Sequence, residues 1–197
     1  MPQMLRAGAR MIDPTNLVRP VTPASEFALF ACCVQGKKSK PQAVKFNAWL
    51  ADVYQQYPQY LGRPFELIRN LPLWGLPASL MAHKIGQYTR LQSTWKGLAH
   101  KYQDGDRFTV AGLETISGIG PKTARFIVGY CFNEPVAILD VHMLAYLSTQ
   151  NICVPNETPQ NRKRYAELEA EVLRIAQELG VHPLDFDYAV WKRGSKA

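Results

Sequence analysis

The chain has 197 residues, of which 47% are hydrophobic and 20% are charged, and this balance excludes a disordered protein. A chain of this length can bury a substantial core, so one compact domain is expected. The formal net charge of +7 indicates a polyanionic partner, although basic proteins also gain solubility from such charge.

Helical patterns dominate the chain from residue 25 onward. The spacing of apolar residues predicts helices over 25–35, 42–57, 64–71, 78–101, 110–116, 122–132, 141–150, 159–180 and 183–193. The second of these helices has an apolar inner face formed by Val44, Phe46, Leu50, Val53 and Tyr54. The eighth has an apolar stripe formed by Tyr165, Leu168, Val172, Ile175 and Leu179. Because no segment alternates in the manner of a strand, the sequence predicts an all-α fold.

A glycine-rich turn, Ser-Gly-Ile-Gly-Pro-Lys at 117–122, separates the fifth and sixth predicted helices. Glycine tolerates the positive φ of a tight turn, and Pro121 suits the first position of a helix. Backbone amides at the positive end of a helix dipole can bind a DNA phosphate. The amides predicted to do so are those of Gly118, Ile119 and Gly120. The alternative is an ordinary αα-corner, in which the glycines only cap helices.

Lys122 and Asp140 are the candidate catalytic pair. Lys122 falls in the first turn of a helix, where the dipole disfavours an ammonium and favours the neutral amine that attacks carbon. That helix spans about 16 Å, and the extended segment 133–139 after it spans about 23 Å. The chain can therefore return and bring the Asp140 carboxylate beside the amine. Alternatively, Lys122 contacts only a phosphate and Asp140 only caps the helix that follows it.

Four cysteines occur in the chain: Cys32, Cys33, Cys131 and Cys153. None has C-x-x-C spacing, so a zinc or iron–sulfur site is not expected, and the thiols are interpreted as reduced and buried. The apolar run at 27–34 is too short to cross a bilayer, and the basic N-terminus lacks the apolar segment of a signal peptide. We therefore expect a soluble cytoplasmic protein of bacterial, archaeal or viral type.

Two segments resemble the helix-hairpin-helix/Gly-Pro-Asp superfamily of DNA glycosylases. They are Leu-Glu-Thr-Ile-Ser-Gly-Ile-Gly-Pro-Lys-Thr-Ala at 113–124 and Ala-Ile-Leu-Asp-Val-His-Met at 137–143. The lysine at the end of the hairpin resembles that of the bifunctional members, endonuclease III and the 8-oxoguanine glycosylases. The segments 140–143 and 182–191 are similar to the 8-oxoguanine branch. The resemblance covers roughly residues 25–193.

This resemblance implies a single domain over 1–197 with two helical lobes and a cleft between them. One lobe would span roughly 36–133, including the hairpin, and the other 1–35 together with 134–197. The four-cysteine cluster of endonuclease III is absent, so no iron–sulfur cluster is implied. A monovalent cation at the hairpin is compatible with the resemblance, and no other cofactor is expected.

The resemblance also assigns roles outside the hairpin. Gln35 follows an early helix and would fill the gap that an extruded base leaves in DNA. Lys37 and Lys38 are assigned to the DNA phosphates. Asp187 and Trp191 stand four residues apart on one helical face and would help to hold the flipped base. Their alternative role is structural, as parts of a capped helix with a core tryptophan.

Taken together, these features predict a monomeric DNA glycosylase and AP lyase that acts in base-excision repair on double-stranded DNA at the nucleoid. It would flip a damaged base, with 8-oxoguanine favoured, and attack C1′ with Lys122 while Asp140 assists. A first alternative is a glycosylase of the same fold for an oxidised pyrimidine or another modified base. A second alternative is a non-enzymatic DNA-binding module that keeps the hairpin.

Overall fold

The fold is described from a computed structural model, which covers residues 12–35 and 39–194. Within these residues the regular structure consists of ten α-helices and one 3-10 helix, and no β-strand is present there. The predicted all-α fold is confirmed. Among the described helices, none combines the length and the apolar character that crossing a bilayer requires.

The helices follow one another with short connections. Their bounds are α1 Ala24–Cys33, α2 Ser39–Gln56, α3 Pro64–Asn70, α4 Gly75–Ala82, α5 Tyr88–Lys101, α6 Val110–Leu113, α7 Pro121–Phe132, α8 Val141–Thr149, α9 Arg162–Glu178 and α10 Pro183–Gly194, with a 3-10 helix at Pro58–Tyr60. Most of these bounds lie within three residues of those that the apolar spacing predicts.

The prediction of one helix over 78–101 is wrong, because two helices occupy this region. Helix α4 ends at Ala82 and α5 begins at Tyr88. Between them, Lys84, Gly86 and Gln87 have φ angles of 50°, 78° and 51°. This left-handed conformation stops a helix, and Gly86 is the residue type that adopts it most readily.

Two assignments of apolar residues to inner faces are also wrong. Val44 is 67% exposed, because the neighbouring Ala43 takes the buried position one residue earlier on α2. Leu179 is 58% exposed, because it is the residue at which α9 ends and the chain turns away at Gly180. The other residues of the α2 face, Phe46, Leu50, Val53 and Tyr54, are buried as predicted.

Buried apolar side chains form two clusters. The first contains side chains of α1 to α7, and the second contains those of α8, α9 and most of α10. The two clusters meet at the segment 133–140, which is neither helix nor strand, and there Ile138 belongs to the first cluster while Ala137 and Leu139 belong to the second. The buried side chains of α1 lie in the first cluster. The lobe bounds given above stay a prediction.

Aromatic rings at the centre of the first cluster fix α1, α2 and α5 against one another. The indole rings of Trp49 and Trp95 have centroids 4.7 Å apart, and Phe46 contacts both. The Trp95 indole N–H donates a hydrogen bond to the backbone oxygen of Leu29 at 3.2 Å. This packing holds α1 in place, and the end of α1 contributes to the site described below.

We predict that Trp95→Ala lowers the free energy of unfolding by about 3–5 kcal/mol, because it removes a fully buried ring and leaves a cavity. Trp74→Ala is the matched control, since this tryptophan is 75% exposed, and it should change stability by less than about 0.5 kcal/mol. Urea unfolding measures both values. Equal losses in the two variants would contradict the packing described here.

Candidate active site

The hairpin between α6 and α7 has the conformation that its sequence predicts. Gly118 has a φ of 87°, and a Cβ added to it would overlap the hydroxyl of Thr94. That hydroxyl donates to the backbone oxygen of Ser117 at 2.9 Å. Gly120 is the N-cap of α7, and Pro121 is its first residue. Glycine at position 118 is therefore required both by the backbone conformation and by the close approach of α5.

The three hairpin amides predicted to bind phosphate differ in their surroundings. The amide of Ile119 donates to the backbone oxygen of Ile116 at 3.0 Å, and the Ile119 side chain is buried. This amide therefore closes the turn. The amides of Gly118 and Gly120 donate to no acceptor within the part of the chain that the structure describes. Their binding of a DNA phosphate stays a prediction.

A cavity of about 280 Å³ lies between the end of α1, α7, the start of α8 and α10. Its wall includes five residues that the sequence analysis singled out: Gln35, Lys122, Asp140, Asp187 and Trp191. These residues come from four separate parts of the chain and are up to 156 positions apart. The structure thus brings the candidate catalytic pair and the candidate base-holding pair to one cavity. Lys37 and Lys38 lie outside the described residues.

Lys122 and Asp140 reach the cavity from helix N-termini. Lys122 is half-buried in the first turn of α7. Asp140 is the N-cap of α8, and its Oδ1 accepts hydrogen bonds from the amides of His142 and Met143, both at 2.9 Å. Among the described residues, no group donates to Oδ2. The capping role and the position in the cavity wall are therefore compatible, because the cap uses one oxygen of the carboxylate.

Asp187 is a nearly buried carboxyl group beside this pair. Burial raises its pKa well above the ordinary value, and the Asp140 carboxylate raises it further. The ammonium of Lys122 and the guanidinium of Arg19 act in the opposite direction. These influences indicate that Asp187 lies within electrostatic reach of both Lys122 and Asp140. A neutral carboxyl group can both donate and accept a hydrogen bond.

Trp191 lies one turn beyond Asp187 on α10. Its ring stacks on that of Tyr188, with centroids 6.1 Å apart and an interplanar angle of 23°. Trp191 is partly exposed and lines the cavity, and Asp187 lies inside α10 rather than at its start. The arrangement therefore differs from a capped helix with a core tryptophan, which was the alternative interpretation of the pair.

Gln35 follows α1 and is fixed from two sides. Its side-chain amide donates to the hydroxyl of Thr123, the residue after Lys122. Its backbone oxygen accepts a hydrogen bond from the side chain of Gln87 at 3.2 Å. Gln35 is thus held at the rim of the cavity beside the start of α7.

Several cavity residues were not found by the sequence analysis. Phe126 and Tyr130 follow Lys122 at intervals of four residues on α7, and their rings pack at 5.1 Å. This spacing was a signal that could have identified them, because residues four apart share a helical face. Pro14 and Leu17 also line the cavity, but they lie in a segment without helical periodicity.

Within residues 12–35 and 39–194, no group of three or more His, Cys, Asp or Glu side chains could hold a metal ion. Cys32, Cys33 and Cys131 are buried, and burial raises the pKa of each thiol. The expectation of four buried thiols is wrong for Cys153, which is exposed in the loop after α8.

The fold is similar to that of a trapped endonuclease III–DNA covalent intermediate, an estranged-adenine complex. The TM-score is 0.53 and the sequence identity is 19%, over 92% of this chain and 77% of the other. At this identity the similarity establishes the fold.

The Ogg-HhH family model, described as 8-oxoguanine DNA glycosylase, matches residues 80–181. The match covers just over half of the chain and includes the hairpin, Lys122 and Asp140. The chain therefore belongs to the Ogg-HhH family, within the helix-hairpin-helix/Gly-Pro-Asp superfamily of DNA glycosylases.

We predict that Asp187→Asn makes the protein more stable at neutral pH. The native state raises the pKa of Asp187 above its unfolded value of 3.8, so the native protein holds this proton more tightly than the unfolded chain. The stability that protonated Asp187 contributes is complete below pH 3.8 and is lost as the pH rises through the raised pKa. Asparagine avoids this loss, so the advantage of the variant should grow with pH.

Urea unfolding at about pH 4 and about pH 8 measures this difference. Asp185→Asn on the same helix is the control, because the Asp185 side chain is exposed and its removal should give a much smaller dependence on pH. An Asp187→Asn variant that is less stable than the original protein at neutral pH would contradict the raised pKa of this buried carboxyl group.

Proposed function

We propose that the protein is a bifunctional DNA glycosylase and AP lyase that removes an oxidised base, with 8-oxoguanine favoured, from double-stranded DNA. The observation that carries this proposal is the shared cavity of Lys122 and Asp140, at whose rim Gln35 lies. The size of the cavity supports a single flipped nucleoside as its occupant, since it lies near the lower limit of roughly 300 Å³ for ligand pockets. Monomeric state, location and a hairpin cation stay predictions.

The proposed reaction begins with attack by the amine of Lys122 on the sugar. Its lone pair forms a bond to C1′ of the deoxyribose as the bond from C1′ to the base breaks, and the departing base takes up a proton. Asp140 stabilises the positive charge that develops on the sugar. A proton then passes from the nitrogen to O4′ as the bond from C1′ to O4′ breaks, and this opening of the sugar ring gives a protonated Schiff base. Removal of a C2′ proton then expels the 3′ phosphate.

The surroundings of Asp187 support an oxidised purine as the substrate. 8-Oxoguanine differs from guanine in that N7 carries a hydrogen and C8 carries an oxygen, so an acceptor of guanine becomes a donor. The raised pKa of Asp187 favours its protonated carboxyl group, which offers both an acceptor and a donor in the cavity wall. Trp191, Phe126 and Tyr130 offer aromatic surfaces on which a base can stack. The description of the matching family supports the same substrate.

We predict that borohydride traps a covalent adduct between the protein and duplex DNA that contains 8-oxoguanine. Lys122→Gln should abolish this adduct, because the amide cannot form a Schiff base. Lys163→Gln is the matched control: it removes the same charge from an exposed position at the start of α9 and should leave trapping intact. Gel electrophoresis measures the adduct. Trapping that persists in Lys122→Gln would exclude this lysine as the nucleophile.

Asp140→Asn separates catalysis from DNA binding in the same assay. Asparagine is also a favourable N-cap, so α8 should stay folded. Excision should slow while affinity for the duplex is unchanged. If Asp140→Asn has no effect on excision, or if the original protein binds the duplex without cleaving or trapping it, the catalytic role proposed for this residue is wrong.

We predict that a lesion panel distinguishes the base. Lys122 and Asp140 act on the sugar and select no base, so the choice rests on the cavity wall. Single-turnover excision should be roughly tenfold or more faster on 8-oxoguanine than on thymine glycol, because hydrogen bonds to the base are lost with the wrong substrate. An undamaged duplex is the control. Preferential cleavage of thymine glycol would favour a pyrimidine substrate.

A further inference from the structure

Lys122 and Asp140 lie at the starts of different helices, and the segment between those helices is neither helix nor strand. Residues 133–140 lead from the end of α7 back to the start of α8. A segment that is neither helix nor strand lacks the regular backbone hydrogen bonds of those structures. Its buried backbone groups therefore need other hydrogen-bond partners. The position of Asp140 relative to Lys122 therefore depends on what holds this segment.

Side chains supply these partners. The amide of Ala137 donates to Glu169 at 3.1 Å, and its backbone oxygen accepts from the hydroxyl of Tyr165 at 3.0 Å. The amide of Leu139 donates to the same hydroxyl at 3.0 Å, and its backbone oxygen accepts from Thr158 at 2.8 Å. All four polar backbone groups of these two residues are thus bonded to side chains. We call Thr158, Tyr165 and Glu169 the cradle.

The protonation of Tyr165 matches this double role. Burial raises the pKa of the phenol, so the hydroxyl keeps its proton and donates it to Ala137 while its oxygen accepts from Leu139. Both hydrogen bonds come from one atom on a fully buried ring of the second cluster. A small movement of α9 would therefore move both backbone groups together.

Arg125 joins the cradle to the helix of Lys122. It lies three residues after Lys122 on α7, and its Nε donates to the second oxygen of Glu169 at 2.6 Å. Its guanidinium carbon stands 4.4 Å from the ring centroid of Tyr165. A further guanidinium nitrogen donates to the backbone oxygen of Pro121 at 3.2 Å. Arg125 thus contacts the first residue of α7 and two residues of the cradle.

The hairpin is part of the same network. Glu114, between α6 and the glycines, accepts from Arg125 at 2.9 Å and pairs with Arg162 at 2.7 Å. The side chains of Arg125 and Glu169 are each 13% exposed, and that of Glu114 is 8% exposed. Burial lowers the pKa of Arg125, but its bonds to the two carboxylates outweigh this and raise it overall. Buried ion pairs add little net stability, but they fix geometry.

We propose that Arg125, Tyr165 and Glu169 are positioning residues that set the placement of Asp140 relative to Lys122. This inference rests on the proposed function for its catalytic meaning, but the placement itself can be tested without a substrate. None of the three lines the cavity, so they act through the segment that they hold. A misplacement of about 1 Å at a reacting centre can slow a reaction by about 10²-fold.

Tyr165→Phe is the sharpest test of this proposal. It keeps the buried ring and its contact with Arg125 and removes only the hydroxyl that serves Ala137 and Leu139. Hydrogen–deuterium exchange of the amides over 139–143 should become faster. Single-turnover excision should slow by roughly 10- to 100-fold, with affinity for the damaged duplex changed by less than about twofold. Glu169→Gln, which cannot accept from both Arg125 and Ala137 as a carboxylate does, should act in the same direction.

Val172→Ala is the matched control, because Val172 is fully buried on the same helix and contacts neither the segment nor Arg125 through a hydrogen bond. It should lower Tm while excision and exchange over 139–143 stay unchanged. Unchanged exchange in Tyr165→Phe, or equal slowing of excision by Val172→Ala, would overturn the proposal. If exchange becomes faster but the original protein excises no base, the positioning is upheld and the proposed function fails.

Discussion

The rest of the structure depends on how the segment 133–140 places its side chains between the two apolar clusters. Its side chains alternate between the two apolar clusters, with Ile138 in one and Ala137 and Leu139 in the other. A shift by one residue would exchange these sides, because side chains of extended backbone point in opposite directions in turn. The register of this segment therefore determines where α8 begins and where the carboxylate of Asp140 stands.

A second constraint is the carboxyl group of Asp187, which is buried beside another carboxylate and a lysine. A group selected for stability alone would be apolar at this position, since burying an ionisable side chain is unfavourable. Polar groups that are unfavourable for folding are concentrated at functional sites, where their altered protonation is useful. Asp187 thus supports, independently of Lys122, the proposal that this cavity is the active site.

Much of the fold was predictable from the sequence because local patterns determined it. The apolar stripe over 165–179 predicted most of α9. Gly118 and Pro121 predicted the turn before α7. The lengths of a helix and of the segment after it showed that the chain can bring Asp140 back toward Lys122. The catalytic roles of the two residues stay predictions.

Other features could not be predicted, because they depend on contacts between distant parts of the chain. The break between α4 and α5 contains one glycine, and its other left-handed residues, Lys84 and Gln87, carry no such signal. Val44 is as apolar as its buried neighbours and differs from them only in the direction in which its side chain leaves the axis of α2. The hydrogen bonds of Glu169 to Ala137 and Arg125 join residues that no local periodicity relates.

One wall of the cavity comes from residues 14 and 17, which belong to neither an α-helix nor a strand. The hydroxyl of Tyr188 donates a hydrogen bond to the backbone oxygen of Thr15, and the amide of Val21 donates one to the backbone oxygen of Tyr130. This part of the chain is therefore attached to the helices through its backbone groups. Side chains at positions 14 and 17 can therefore vary while these attachments persist. Changes at these two positions would reshape the cavity while the amine and the carboxylates keep their places.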